Sequence, residues 1–216
     1  MTNFALAREN MIESQVRPNG VTDHRIIDSM SRIAREHFVP ESRRPIAYVD
    51  EDIEIAPGRY LIEAMAFAKM LQLAEIRPTE TVLHVGAGTG YGSAVLSGLA
   101  ARVVALESDA GLAALARANL ASYKTVEIVD GALDQGWASA APYGVIVVEG
   151  RIGEAPRQLL AQLGPDGRLV AVVGDGDVSK ATIWTAHGGV IMMRAAFDAS
   201  VAALPGFARK TPAFAF

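Results

Sequence analysis

One stretch constrains this chain more than any other. In Thr81-Val-Leu-His-Val-Gly-Ala-Gly-Thr-Gly-Tyr91-Gly92 an apolar strand runs straight into a glycine-rich turn. A second apolar run, residues 103–106, ends in Glu107. Strand, tight turn, helix and strand form the repeating unit of a doubly wound sheet. Gly86, Gly88 and Gly90 allow a tight turn and a close backbone approach by a ligand. An acid at the tip of the next strand, ~20 residues on, can accept hydrogen bonds from two ribose hydroxyls. The competing reading is an ordinary strand-to-helix turn followed by a solvated strand-end carboxylate.

Two nucleoside classes fit such a unit. A dinucleotide site uses G-x-G-x-x-G, its third glycine packing helix on strand and a pyrophosphate lying on the helix N-terminus. Here the spacing is G-x-G-x-G, and Tyr91 takes the place of that third glycine. The shorter pattern suits S-adenosylmethionine (AdoMet), which has no pyrophosphate.

Composition narrows the rest. Half of the 216 residues are hydrophobic, enough for a large core, and the formal net charge is −4 with no basic run. That leaves no electrostatic case for a nucleic-acid partner. The chain has no cysteine, which excludes disulfides, thiolate metal sites and cysteine nucleophiles, and its four histidines show no ligand spacing. No metal is expected. The early residues have no apolar core of a signal peptide, and no apolar run is long enough to span a membrane, so the expectation is a cytoplasmic protein without a membrane partner.

Residues 1 to about 75 lack strand alternation and read as helices: a stripe of Phe4, Met11, Ile12 and Val16, a helix capped by Thr22 or Asp23, and an apolar helix over residues 61–73 after a loop with Pro45 and Pro57. Strands at 81–85, 103–106, 126–129, 144–148 and 168–173 then alternate with helices, including one expected over 155–163. Runs at 181–187 and 190–197 flank Gly188-Gly189 and read as a β-hairpin. The expected fold is α/β, a doubly wound, mostly parallel sheet of the AdoMet-dependent methyltransferase type. It carries a C-terminal β-hairpin and a helical N-terminal extension. Residues 1–78 form that extension and a substrate-side loop; residues 79–216 form the AdoMet-binding domain, the two making one structural unit. A loose tail is expected from Phe207.

Several segments in order carry a resemblance: Met11-Ile-Glu-Ser-Gln-Val, Val21-Thr-Asp-His-Arg-Ile-Ile-Asp-Ser-Met, Arg35-Glu-His-Phe-Val-Pro, Ala47-Tyr48-Val-Asp50, the glycine turn, Asp130-Gly131 with Gly136, Ala141-Pro142-Tyr143, and Gly167-Arg-Leu-Val-Ala-Val-Val-Gly174. Together they resemble the protein-L-isoaspartate O-methyltransferase family over nearly the whole chain. The resemblance implies AdoMet as cofactor, a protein or peptide carboxylate as acceptor, and a cofactor site made of Gly86, Ala87, Gly88, Gly90, Tyr91, Glu107, Ser108, Asp130 and Gly131. Asp130 takes the adenine side.

The acceptor side departs from that pattern. The family's Gly-Gln-Thr-Ile-Ser-Gln-Pro aligns with Gly58-Arg-Tyr-Leu-Ile-Glu-Ala64, so Ile62 replaces the serine and Glu63 an amide. An acid there repels a carboxylate unless Arg59 pairs with it. Gly144 stands where the family usually has an acid, and the run from Phe197 matches its ending loosely. The expectation is retained cofactor binding, with activity on isoaspartyl peptides in question. No catalytic residue is assigned; Arg59, Tyr60, Glu63 and Glu149 are substrate-side candidates, each weighed against plain surface placement. His84 reads as core or cofactor-flanking, and Trp137 and Tyr91 as stacking candidates against core packing. A non-catalytic scaffold that binds a protein through residues 56–63 is the alternative. A nicotinamide oxidoreductase is disfavoured by Tyr91 and the hairpin.

Overall fold

A computed structural model describes residues 3–175 and 178–207. The extension begins with α1 (Phe4–Met11), which continues as a π-helical turn and a 3-10 turn to Asn19. Asp23 caps α2 (His24–Arg32) by accepting the Arg25 N–H. Ile26, Ile27 and Met30 are buried as the apolar stripe requires.

The next element was not expected. Residues 53–61 form a small antiparallel hairpin, β1 (Ile53–Ala56) and β2 (Arg59–Leu61), turning at Pro57-Gly58 with Gly58 at φ +70. Ile53, Ile55 and Leu61 are buried. The helix after it, α3 (Ala64–Ala74), therefore starts later than residue 61.

The rest is the expected alternation: β3 (Thr81–Val85), α4 (Tyr91–Ser97), β4 (Arg102–Glu107), α5 (Ala110–Asn119), β5 (Val126–Asp130), β6 (Tyr143–Ile152), α6 (Arg157–Leu160), β7 (Leu163–Asp175), β8 (Val178–His187) and β9 (Val190–Asp198). Two differences stand out. Strand β6 runs on past Val148 to Ile152, because its end pairs with the C-terminal segment: Arg151 donates to the Ala202 carbonyl and accepts from the Leu204 N–H. The helix expected over 155–163 shrinks to the four residues of α6. Of the expected tail, Phe207 is buried and residues 208–216 lie outside the described residues.

The seven-stranded sheet has the order β5-β4-β3-β6-β7-β8-β9, parallel through β7 and antiparallel at the terminal hairpin. The order reverses between β3 and β6, and in open sheets ligands bind at that switch point, beyond the carboxyl ends of the strands. One face packs Val82, Val103, Val145 and Val170 against the N-terminal extension and α3. The other packs Leu83, Val104, Ile146 and Leu169 against Leu159, Leu204 and Phe207. Edge strand β9 leaves Val190, Ile191, Met192 and Met193 exposed.

Gly144 has a structural explanation. A Cβ there would lie 2.9 Å from Glu80 Cγ. Glu80 forms a two-pronged pair with Arg168 at 2.6 and 2.9 Å, and Arg168 also donates to the Ala74 and Glu75 carbonyls that end α3. Glu80 thus fills the space an acid at position 144 would use, and the cation it holds suits a helix C-terminus. Glu80→Ala is expected to lower stability by ~1–2 kcal/mol, because the pair is only partly buried and solvent screens it. Gly144→Asp alone is also expected to destabilise. In the double variant the two losses should sum to less than their separate values, measured as a double-mutant cycle in urea.

Candidate functional site

The glycine turn leaves β3 at the switch point. The N–H groups of Gly86 and Ala87 both donate to the Leu106 carbonyl, and Gly90 donates to that of Ala87. Thr89 donates through its hydroxyl to the Phe38 carbonyl, and Asn119 donates to the Thr89 carbonyl. The turn is therefore fixed from both sides, by the extension and by α5.

Glu107 is the centre of the site and is fully buried. Its Oε1 accepts the N–H groups of Ser108 (2.8 Å) and Asp109 (2.9 Å), and its Oε2 accepts that of Gly88 (2.7 Å). Arg59, on β2, closes both oxygens: Nη1 meets Oε1 at 2.5 Å and Nη2 meets Oε2 at 2.7 Å. Five N–H donors thus converge on a carboxylate with about four lone-pair positions. Burial pushes the Glu107 carboxyl up, but Arg59 and the backbone donors outweigh burial and hold it below its ordinary value. Arg59 pairs with Glu107, so the condition under which it would offset Glu63 is not met. The guanidinium reaches over the glycine turn because the hairpin turns β2 towards it.

Two apolar side chains complete the cover. Ile55 of the hairpin lies so close to Gly88 that a Cβ there would be 2.8 Å from its Cδ1, and Leu204 stands 2.9 Å from the same position on Gly86. Asp52 ties the two covers together, accepting the N–H of Glu63 at 2.8 Å and that of Ala202 at 2.5 Å.

The other candidates scatter. Ser108 is exposed beside Glu107 and contributes its N–H. Asp130 pairs in register with Glu107, but its carboxylate turns outward to Arg117 and is more than half exposed. Gly131 donates its N–H to the Glu107 carbonyl and lies beside Trp137, which is partly buried against the second core. Tyr91 is a core residue, 1% exposed, packed against Phe38, Phe67 and the guanidinium of Arg35, its hydroxyl without a hydrogen-bond partner among the described residues. It faces the extension because α4 carries it onto that side of the sheet. Tyr60 is exposed. Ile62 is buried, and its carbonyl accepts from Arg35.

Glu149 is not a solvated strand end. Its carboxylate lies buried 2.8 Å from His84 Nε2, without the alignment of a hydrogen bond, and His84 Nδ1 is 2.8 Å from Ser93 Oγ. Gly92 makes room for it, since a Cβ there would stand 2.2 Å from Glu149 Oε2. This Ser93–His84–Glu149 line was missed. Alternation offered a signal: β3 and β6 are parallel, and His84 and Glu149 fall on the same side as Val82 and Val145. The hairpin was missed too, although Ile53-Glu-Ile before Pro57-Gly58 carries the period of a strand.

Glu107→Ala strands the buried Arg59 guanidinium and is expected to cost ~3–5 kcal/mol in urea unfolding. Glu63 behaves in the opposite sense. Burial, with Asp50 and Asp52 adding to it, pushes its carboxyl from 4.5 to about 7. The folded state therefore binds this proton more tightly than the unfolded state. The contribution of Glu63 to stability is greatest below pH 4.5, declines as pH rises towards about 7, and stays lost above it. Glu63→Gln should match the parent in melting temperature near pH 4.5 and exceed it near pH 8.

The family model described as Protein-L-isoaspartate(D-aspartate) O-methyltransferase matches residues 7–198. The protein-L-isoaspartate O-methyltransferase of Koribacter versatilis is 39% identical over 180 residues, covering 82% of this chain and 81% of its own. That of Methanoculleus marisnigri is 41% identical over 169 residues, covering 77% of each. A Plasmodium falciparum structure of the same family name, solved in complex with S-adenosyl-L-homocysteine, superposes with a TM-score of 0.79 at 19% identity over 95% of this chain and all of that one. A second structure so named gives 0.78 at 21% identity, over 93% of this chain and 67% of that one. Both share the fold. With the match spanning the extension, the glycine turn and the sheet, this chain belongs to the protein-L-isoaspartate(D-aspartate) O-methyltransferase family.

Proposed function

We propose that this chain is an AdoMet-dependent methyltransferase acting on a carboxylate of a protein or peptide in the cytoplasm, with a rewritten acceptor loop. The observation that carries the reading is Glu107: an ionised carboxylate at the tip of β4, braced by Gly88, Ser108 and Asp109 and set against the glycine turn. Such a group suits two ribose hydroxyls. The residues fit the cofactor in kind: Glu107 for the ribose, residues 86–90 for the amino-acid end, and Ser108 and Gly131 around the base, where Asp130 would take part only by leaving Arg117. AdoMet supplies an electrophilic methyl group on a sulfonium. The acceptor carboxylate is already a nucleophile, so the protein's part is alignment and exclusion of water.

The acceptor side is where this chain diverges. Ile62 brings no hydroxyl and is turned into the core. What segment 58–63 offers instead is Arg59, the exposed Tyr60 and a half-buried Glu63. Loss of one hydrogen bond costs ~1 kcal/mol and a rebuilt loop costs specificity as well, so isoaspartyl peptides are expected to be poor acceptors. Among the described residues no helix is long and apolar enough to cross a membrane.

Titration calorimetry with S-adenosyl-L-homocysteine is the decisive measurement; measurable binding is expected, and its absence in folded protein refutes the cofactor reading. Methyl incorporation into an isoaspartyl peptide should be at least tenfold slower than for a relative that keeps the serine. Equal rates would refute the acceptor reading. The Arg59–Glu107 pair favours one competing function, a scaffold that keeps the fold without the chemistry. Robust methylation of any peptide carboxylate excludes it.

A further inference from the structure

The carboxylate that suits the ribose is already taken by this chain's own arginine. Both Glu107 oxygens are engaged by the Arg59 fork, and both partners are buried, at 7% and 0% side-chain exposure. The other positions on those oxygens belong to backbone N–H groups of the turn and of the α5 start, which cannot leave without unmaking the site. Arg59 can leave: it sits at the start of a three-residue strand, next to the turn at Gly58. The hairpin also lays Ile55 over Gly88, so one element covers the ribose carboxylate and the glycine turn together.

We propose that Arg59 and Glu107 form a latch on the nucleoside site: an adenosine-bearing ligand gains Glu107 only as the guanidinium leaves and hairpin β1–β2 lifts from the turn. The proposal rests on the cofactor reading above and adds its regulation. Ribose hydroxyls and guanidinium compete for the same lone pairs, so each weakens the other's hold. The apparent affinity of the site is its intrinsic affinity reduced by the fraction of molecules with the latch open. A closed latch also holds the carboxylate ionised and dry, ready to accept hydroxyls without first shedding water.

Calorimetric titration of S-adenosyl-L-homocysteine into the parent, Arg59→Met and Arg59→Lys tests this. Methionine keeps the apolar stem and removes the fork; lysine keeps the charge and offers a single point contact. Arg59→Met is expected to bind at least tenfold more tightly than the parent, with Arg59→Lys between them. Equal or weaker binding by Arg59→Met, with the parent binding, overturns the latch and leaves the cofactor reading standing. No binding by any of the three overturns both. If Arg59→Met does not fold, hydrogen exchange on the parent decides. Amides of residues 53–61 should exchange faster with saturating S-adenosyl-L-homocysteine than without it; unchanged or slower exchange overturns the latch.

Discussion

A carboxylate with no solvent contact must have its charge answered, and in this chain the answer organises the site. Glu107 ends β4 inside the protein, where an unpaired carboxylate would be neutralised or would not be tolerated. Three backbone N–H groups and one guanidinium converge on it from three pieces of chain: one N–H from the glycine turn, two from the start of α5, and the guanidinium from the N-terminal extension. The extension is thereby joined to the sheet at the place where ligands bind in this class of fold. Buried pairs of this kind add little net stability over an apolar contact. Here the pair joins hairpin β1–β2 to the glycine turn through one shared carboxylate.

The same face of the sheet holds a second buried polar group, the line Ser93–His84–Glu149. It shares β3 and β6 with the site yet points into the core beneath α4. Its residues have the types of a proton relay, but full burial and the lack of an aligned bond between His84 and Glu149 give it a packing role in this structure. Arg35 repeats the theme: it is buried, bound to the carbonyls of Ala47 and Ile62, and laid over the Tyr91 ring. The extension is therefore held by polar groups as well as by its apolar stripe.

Much of the fold was legible because its signals are local. The strand-turn-helix at 81–97, the parallel strands and the Gly188-Gly189 hairpin are written in apolar runs and turn residues. The position of Glu107 was legible for the same reason. Its partner was not, because Arg59 lies 48 positions away and pairing across such a gap leaves no periodic trace. Tyr91 misled for a related reason. The residue following a glycine turn reads as site-lining, but the start of α4 points it away from the ligand side. Asp130 stands at the right strand end, yet a neighbouring arginine on α5 draws it outward. Ile62 and Gly144 read as losses in sequence; in space one is a core residue and the other is compensated by Glu80.

Asp52 gives the site one more property. By accepting N–H groups from both Glu63 and Ala202, it joins the base of the hairpin to the segment that carries Leu204. Ile55 and Leu204, the two apolar covers of the glycine turn, are thus fastened to a single carboxylate although 149 positions separate them in the chain. The cover behaves as one plate on a common pin. The segment of Ala202 and Leu204, remote in sequence from the glycine turn, thus shares one carboxylate anchor with the hairpin that covers the same turn.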